Sequence, residues 1–259
     1  MIAALLLVAS LVSAAEPARA AASGRTPAVV EPTAPTVTDE ARLFQQAGAA
    51  YEKGRFAEAL AGYERLAAGG RMSAALAYNL GNTEWRLGRR GFAIRWWELA
   101  RRLDPRDSDI RYNLALARSA LQDEEPSAWE ALDRVLTVNE LAWLVTVLVW
   151  LIAGLAGVAL WRDVPWSRWR RFVLAGLPFL VVLAAWLALR AGDLARPWGV
   201  VTAPAVEIRS GPGDQFPVGY SAPEGQRILL LSRRPGWVEI GVPSRSLKGW
   251  VVDSAVTGL

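Results

Sequence analysis

Neither cysteine nor histidine occurs among the 259 residues of this chain. The first absence excludes disulfide cross-links, thiolate-held zinc and thiol nucleophiles. The second removes the commonest general base and metal ligand, and with it every serine or cysteine triad built on imidazole. Charge is also scarce: Asp, Glu, Lys and Arg make up 21% of the chain and hydrophobic residues 53%, against about 25% and about 45–50% in an average soluble domain. The balance of 29 basic to 25 acidic residues leaves +4, too little to imply a nucleic-acid partner. A phosphate-cradling Walker loop is missing as well. What is abundant is apolar surface and tryptophan, 13 residues of it. A mean hydropathy of +0.19 then requires some segments to be apolar throughout.

Met1 to Val12 is a short apolar run followed by Ser13, Ala14 and Ala15, so residues 1–15 read as a secretory signal peptide, though no Lys or Arg precedes the run. Residues 16–38 place Pro17, Pro27, Pro32 and Pro35 among small side chains, the composition of a disordered linker. Residues 122–140 hold six acids against Arg134 and form an acidic juxtamembrane segment, where Pro126, Trp129, Leu132 and Leu136 suggest a short amphipathic helix. Residues 141–161 and 172–189 are free of charge for 21 and 18 residues, so both are expected to be transmembrane helices. Between them, loop 162–171 carries Arg162, Arg168, Arg170 and Arg171 against Asp163. The positive-inside rule places this loop in the cytoplasm and the flanking regions on the opposite side of the membrane. Seven tryptophans (143, 150, 161, 166, 169, 186 and 198) fall in or beside this hairpin, several where an aromatic belt belongs.

Residues 39–121 are helical in pattern and repeat internally. Gly54 and Gly88, Ala59 and Ala93, Tyr63 and Trp97, Asn79 and Asn113, and Leu80 and Leu114 are each 34 residues apart. The segment resembles the tetratricopeptide (TPR) family: glycine at the turn of a helix pair, alanine at the close helix crossing, a bulky aromatic opposite, and Pro105 closing the second unit. Leu66, Arg90 and the lack of the family's early tryptophan depart from the pattern. The resemblance implies two repeats plus a capping helix at Ser108–Leu121, with a concave groove formed by the first helices of the pairs. Tyr78, Asn79, Asn82, Arg86, Tyr112 and Asn113 would face or border that groove, where amides and guanidinium can bond an extended peptide. Asn79 and Asn113 could equally join neighbouring helices.

From Trp198 the texture changes to short β-branched and aromatic runs cut by Gly and Pro, which reads as a small all-β unit over 198–259. Val206 with Arg209, Ser210, Gly211, Pro212 and Gly213, then Glu224-Gly225, Gly236-Trp237-Val238 and Gly249-Trp250-Val251, resemble the bacterial SH3-like (SH3b) family. The resemblance implies a barrel with Tyr220 and Trp237 as a candidate ligand surface for peptide or peptidoglycan and with Trp250 in the core, where Trp237 could equally belong.

The expected architecture is therefore a multi-domain membrane protein: an all-α TPR helical repeat array, a two-helix transmembrane hairpin and a small all-β SH3-like barrel. That order of modules, together with Leu136, Thr137, Asn139 and Glu140 before the first span, resembles the BatE family of the Bacteroides aerotolerance operon. The resemblance implies a scaffold that is not an enzyme and needs no metal or cofactor. Its implied partners are von Willebrand A-type Bat membrane proteins and, indirectly, a MoxR-type ATPase. Two other readings stay open: a peptidoglycan-binding anchor working through the barrel, and a signalling protein whose acidic segment gates the array.

Overall fold

Close helix packing needs small residues at the crossings and a tight reversal between helices, and both are met from Val37 onward. The computed structural model describes residues 37–120 and 135–259. The expected signal peptide, the linker up to residue 36 and the acidic stretch 122–134, with Pro126, Trp129 and Leu132, lie outside the described residues. Five helices come first: α1 (Val37–Glu52), α2 (Phe56–Ala68), α3 (Ala74–Arg86), α4 (Arg90–Leu103) and α5 (Ser108–Ala120). Each packs on the next, and α1 also meets α3. Gly54 and Gly88 close the turns at φ +73° and +80°, a left-handed conformation that only glycine adopts readily. Ala59 and Ala93 are wholly buried, with Tyr63 and Trp97 buried beside them. Leu80, Ile94, Ile110 and Leu114 complete the interior, each contributing about 1.5–3 kcal/mol of transfer free energy.

Two long helices follow, α6 (Val138–Trp161) and α7 (Trp166–Leu194), packed as a hairpin. Thr137 starts α6 with a capping box: its side chain accepts from the Glu140 backbone, and the Glu140 carboxylate accepts from the Thr137 N–H. At about 1.5 Å per residue, the 24 residues of α6 reach farther than the roughly 30 Å hydrocarbon core of a bilayer. Both helices are long and apolar enough to cross a membrane. Their outward faces, including Trp150, Leu155, Phe179 and Val182, are exposed.

The hairpin differs from the expected boundaries at the second helix. The connection shrinks to Arg162–Pro165, α7 begins at Trp166 instead of 172, and it ends at Leu194 instead of 189. A charge-free run counts only uncharged residues, whereas the helix runs on through Arg168, Arg170, Arg171 and Arg190 because arginine is a good helix former. Pro165 at the N-cap, φ −61°, starts α7 without losing a donor the helix would use.

Seven strands complete the chain: β1 (Trp198–Val201), β2 (Ala205–Arg209), β3 (Val218–Pro223), β4 (Arg227–Arg234), β5 (Trp237–Val242), β6 (Leu247–Val252) and β7 (Val256–Gly258). They form one sheet in the order β3-β2-β6-β5-β4-β1-β7, and the paired neighbours are antiparallel. Every strand contributes to one buried cluster that includes Val201, Val206, Ile208, Ala222, Ile228, Val238, Ile240, Val251 and Val256, so the sheet curls around a single core. At the β2–β6 crossing the backbones come so close that a Cβ on Gly249 would stand 2.7 Å from the Arg209 carbonyl oxygen. Arg209 also donates to the carbonyls of Asp214 and Phe216, both at 2.9 Å, which folds the Ser-Gly-Pro-Gly loop back on the strand.

Candidate functional site

The helical array presents the six groove candidates on α3 and α5, but unequally. Asn113 donates from Nδ2 to Tyr78 Oη at 3.3 Å and to Asn82 Oδ1 at 3.0 Å, and Asn82 also accepts from Trp97 Nε1 at 3.0 Å. These four side chains bind α3, α4 and α5 to one another. Asn79 is half-buried, and its carbonyl accepts from Thr83 Oγ1 at 2.7 Å. The Arg86 guanidinium lies 4.7 Å over the Phe56 ring. Arg86 and Tyr112 are the exposed members of the six, Tyr112 at 68%, with Leu116 one turn on at 50%.

In the sheet, strand alternation separates the two candidate aromatics. Val238 and Ile240 point inward, so Trp237 takes the outer face of β5, half-buried. Tyr220 packs against the buried core on the inner side of β3, and the Arg245 guanidinium sits 4.7 Å over its ring. The expected Trp250 core position is also revised. Its neighbour Val251 fills the core, leaving Trp250 half-buried opposite Glu239 and 5.3 Å from the Arg234 guanidinium.

The densest polar chemistry lies where array, hairpin and sheet meet. Glu98, on α4, is completely buried. Its carboxylate takes Arg118 of α5 at 2.5 Å and Arg101 at 3.1 Å, with Arg227 of β4 at 3.9 Å. Burial opposes its ionisation, but the charges of Arg227, Arg101 and Arg118 outweigh that and hold the carboxyl far below the ordinary range. Glu84 shows the opposite outcome: burial raises its pKa, because the Arg89 guanidinium at 2.6 Å is its main compensation.

Around Glu98 the sheet is clamped onto α4. Gly91 donates its backbone N–H to Glu224 at 2.6 Å, and Arg95 donates to the Gly258 carbonyl at 2.8 Å. Val200 and Leu259 pack into the array's own hydrophobic cluster. A Cβ on Gly91 would lie 2.5 Å from the Val201 oxygen and 2.7 Å from Thr202 Cα, so only glycine permits this approach. Toward the apolar hairpin, Arg106 reaches both carboxylate oxygens of Glu140, at 2.8 and 2.7 Å, and donates to the Val135 carbonyl at 3.0 Å. This bidentate fork ties the α4–α5 turn to the start of α6.

Between these fastenings lies a cavity of about 440 Å³. Its wall combines the end of α4 and the following turn, the first residues of α6, the last turn of α7, and Trp198 and Arg227 of the sheet. Among the described residues, no group of three or more Asp or Glu side chains could hold a metal ion. The helix pairs and sheet motifs were legible in the sequence; the Glu98 hub and the cavity were not. Their one sequence signal is the unlikeness of the two repeats at Ala57 and Gly91 and at Ala61 and Arg95. No protein-family model and no curated protein matches this chain.

Proposed function

We propose that this chain is a non-catalytic scaffold of the bacterial inner membrane. In this reading the five helices are two TPR repeats with a cap, and the curled sheet is an SH3-like barrel. Both would stand in the periplasm on a hairpin whose Arg162–Pro165 turn is cytoplasmic. The observation that carries the reading is the clamp at Glu98 and Gly91, which makes array and sheet one body. Such a body, tied to the hairpin by Arg106 and Glu140, holds a bound partner at a fixed height and angle above the bilayer. The sheet docks through α4, leaving the exposed Tyr112 and Leu116 of α5 to a partner. The partner class comes from the family resemblance: von Willebrand A-type Bat membrane proteins, with a MoxR-type ATPase acting through them.

A photo-crosslinking residue at Tyr112 in intact cells, followed by mass spectrometry, tests this. Capture of a von Willebrand A-type membrane protein at position 112, and none at the exposed Lys53, is expected. Capture of nothing at position 112 ends the scaffold reading. Trp237, on the outer sheet face, favours a second reading, a peptidoglycan anchor. Pelleting of the chain with sacculi, abolished by removing 198–259, would establish that one instead. Reporters fused after Arg168 and after Leu259 check the orientation; a periplasmic reporter at 168 reverses it.

A further inference from the structure

The face of α6 turned away from α7 has a composition unlike the rest of the hairpin. Leu141, Leu148, Ile152 and Ala159 lie on the side that is buried or half-buried, and a Cβ on Gly176 of α7 would touch Ile152 at 3.4 Å. On the opposite side, Trp143, Trp150, Gly154, Gly157 and Trp161 recur at spacings of 7, 4, 3 and 4 residues. Those spacings keep them within about 60° of one another at about 3.6 residues per turn. All five are exposed, and they are every tryptophan and every glycine of α6. A Cβ on Gly154 or Gly157 would meet nothing within 4 Å, so neither glycine is needed for packing inside the hairpin. The adjoining flanks of α6, with Leu144, Leu151 and Val158, and the exposed side of α7, with Leu174 and Val182, are aliphatic instead, as contact with lipid tails requires.

Trp150 is out of place against lipid. It lies midway along the 24 residues of α6 and is 73% exposed, while Trp143 and Trp161 stand toward the ends, where an aromatic belt belongs. An indole N–H needs an acceptor, and the hydrocarbon layer supplies none. None of the described residues accepts from Trp150. One turn earlier, Thr146 is exposed at the border of the same face, and its hydroxyl donates to the Ala142 carbonyl at 2.8 Å. That bond leaves the Thr146 oxygen free to accept. Side chains on a helix lean back over the preceding turn, so the Trp150 indole reaches toward the level of Thr146, to which its own chain does not bond it.

We propose that this face pairs with the same face of a second copy of the chain, α6 against α6, within the bilayer. Each face carries both halves of the contact: the bulk of Trp150 beside the notch at Gly154 and Gly157, and the Trp150 donor beside the Thr146 acceptor. Two copies inserted with one orientation run parallel, so equal positions stand at equal depth and a two-fold axis satisfies both halves at once. The glycines let the backbones approach, and each indole N–H meets the Thr146 hydroxyl of the other copy. A helix of a different protein would need only one half of this set, so self-complementarity selects a second copy. The pair would present two arrays and two sheets side by side. The proposal rests on α6 crossing the bilayer and is independent of what the array holds. Release of the chain from membranes by alkaline carbonate would refute the span itself, a result separate from the dimer test.

Because the chain has no cysteine, a single thiol can be placed at any chosen position. The full chain carrying Lys53→Cys, labelled with donor or acceptor dye in vesicles of phosphatidylethanolamine and phosphatidylglycerol, reports pairing by energy transfer as added lipid dilutes it. Transfer is expected to persist on dilution and to follow a dimer. Gly157→Leu fills the notch and should weaken association more than about tenfold. A side chain there enters open space in the single chain, so the variant folds, which its melting curve verifies. Trp150→Phe and Thr146→Val should each weaken association about threefold, the worth of one interhelical hydrogen bond in a bilayer, and the double variant no more than either alone. Leu151→Ala, on the aliphatic flank, should match the wild type. On oxidation of membranes, Trp143→Cys should form disulfide-linked dimers and Leu144→Cys should not. A wild type that dilutes to monomers, or association untouched by folded Gly157→Leu or by Trp150→Phe, overturns the proposal. Crosslinking from position 143 in intact cells to another membrane protein, and not to this chain, would assign the face to a foreign helix and overturn the second copy.

Discussion

Two stretches of the array share one repeat and meet different fates. Positions 34 residues apart pair Ala57 with Gly91, Ala61 with Arg95 and Glu64 with Glu98. In the first unit all three are exposed; in the second, Gly91 and Glu98 are buried and Arg95 is half-buried. The backbone solution is the same, since both units use a positive-φ glycine, a buried alanine and a buried aromatic. The second unit alone carries the sheet. A repeat thus fixes which residues build the helix pair, while its neighbours decide what the remaining positions do. Glu64 and Glu98 make the point most sharply, because the residue is identical and only the surroundings differ.

Glu98→Gln is the strongest way to break the comparison. It leaves Arg118, Arg101 and Arg227 without their shared carboxylate, and removing one partner of a buried ion pair costs about 3–5 kcal/mol. Glu64→Gln, at the exposed twin position, should stay within about 0.5 kcal/mol. Denaturant melts of the detergent-solubilised chain compare the two directly. Gly91→Ala comes next. Its Cβ meets backbone atoms of Val201 and Thr202, and such overpacking costs about 1–3 kcal/mol. Separation of sheet from array should appear as faster proteolysis near Trp198, whereas Ala57→Gly should leave that cleavage unchanged.

Acid sharpens the contrast further. The Glu98 carboxyl has a folded-state pKa below its ordinary value of 4.5. Its contribution is therefore complete above that value and lost as pH falls below it toward the folded-state pKa. The wild type should lose more melting temperature between pH 6 and pH 3 than Glu98→Gln does, while Glu64→Gln follows the wild type. An equal loss in all three would show that other carboxylates control acid unfolding. The smallest effect is expected from Arg106→Ala. Its pair with Glu140 is roughly half exposed on both sides, so solvent screening should leave the melting temperature almost unchanged. Spin labels on α5 and α6 should nevertheless report a broader distance distribution.

How much could be read in advance depended on how local each signal was. The helix pairs were legible because Gly54, Gly88, Ala59 and Ala93 act on their own turns and crossings. The two apolar helices were legible because about 20 uncharged residues suit one environment above all, though their ends were not. The β-rich end was legible from its short β-branched and aromatic runs cut by Gly and Pro, yet Trp250 was misplaced because its motif does not say which side of β6 faces inward. Among the groove candidates, Asn82 and Asn113 proved to be partners of each other and of Tyr78 and Trp97. That pairing depends on α3, α4 and α5 being brought together.

The sequence by itself determined the two helix pairs, the apolar hairpin and the β-rich end, because period, turn glycines and charge-free length act over a few residues at a time. Only the tertiary structure decided that Glu98 would be buried among three arginines and that Gly91 would be a contact point. It also decided that five arginines from three separate stretches of chain would line one cavity. Those outcomes depend on desolvation and charge balance between segments more than a hundred residues apart, such as Glu98 and Arg227, and no local pattern in the sequence encodes that proximity.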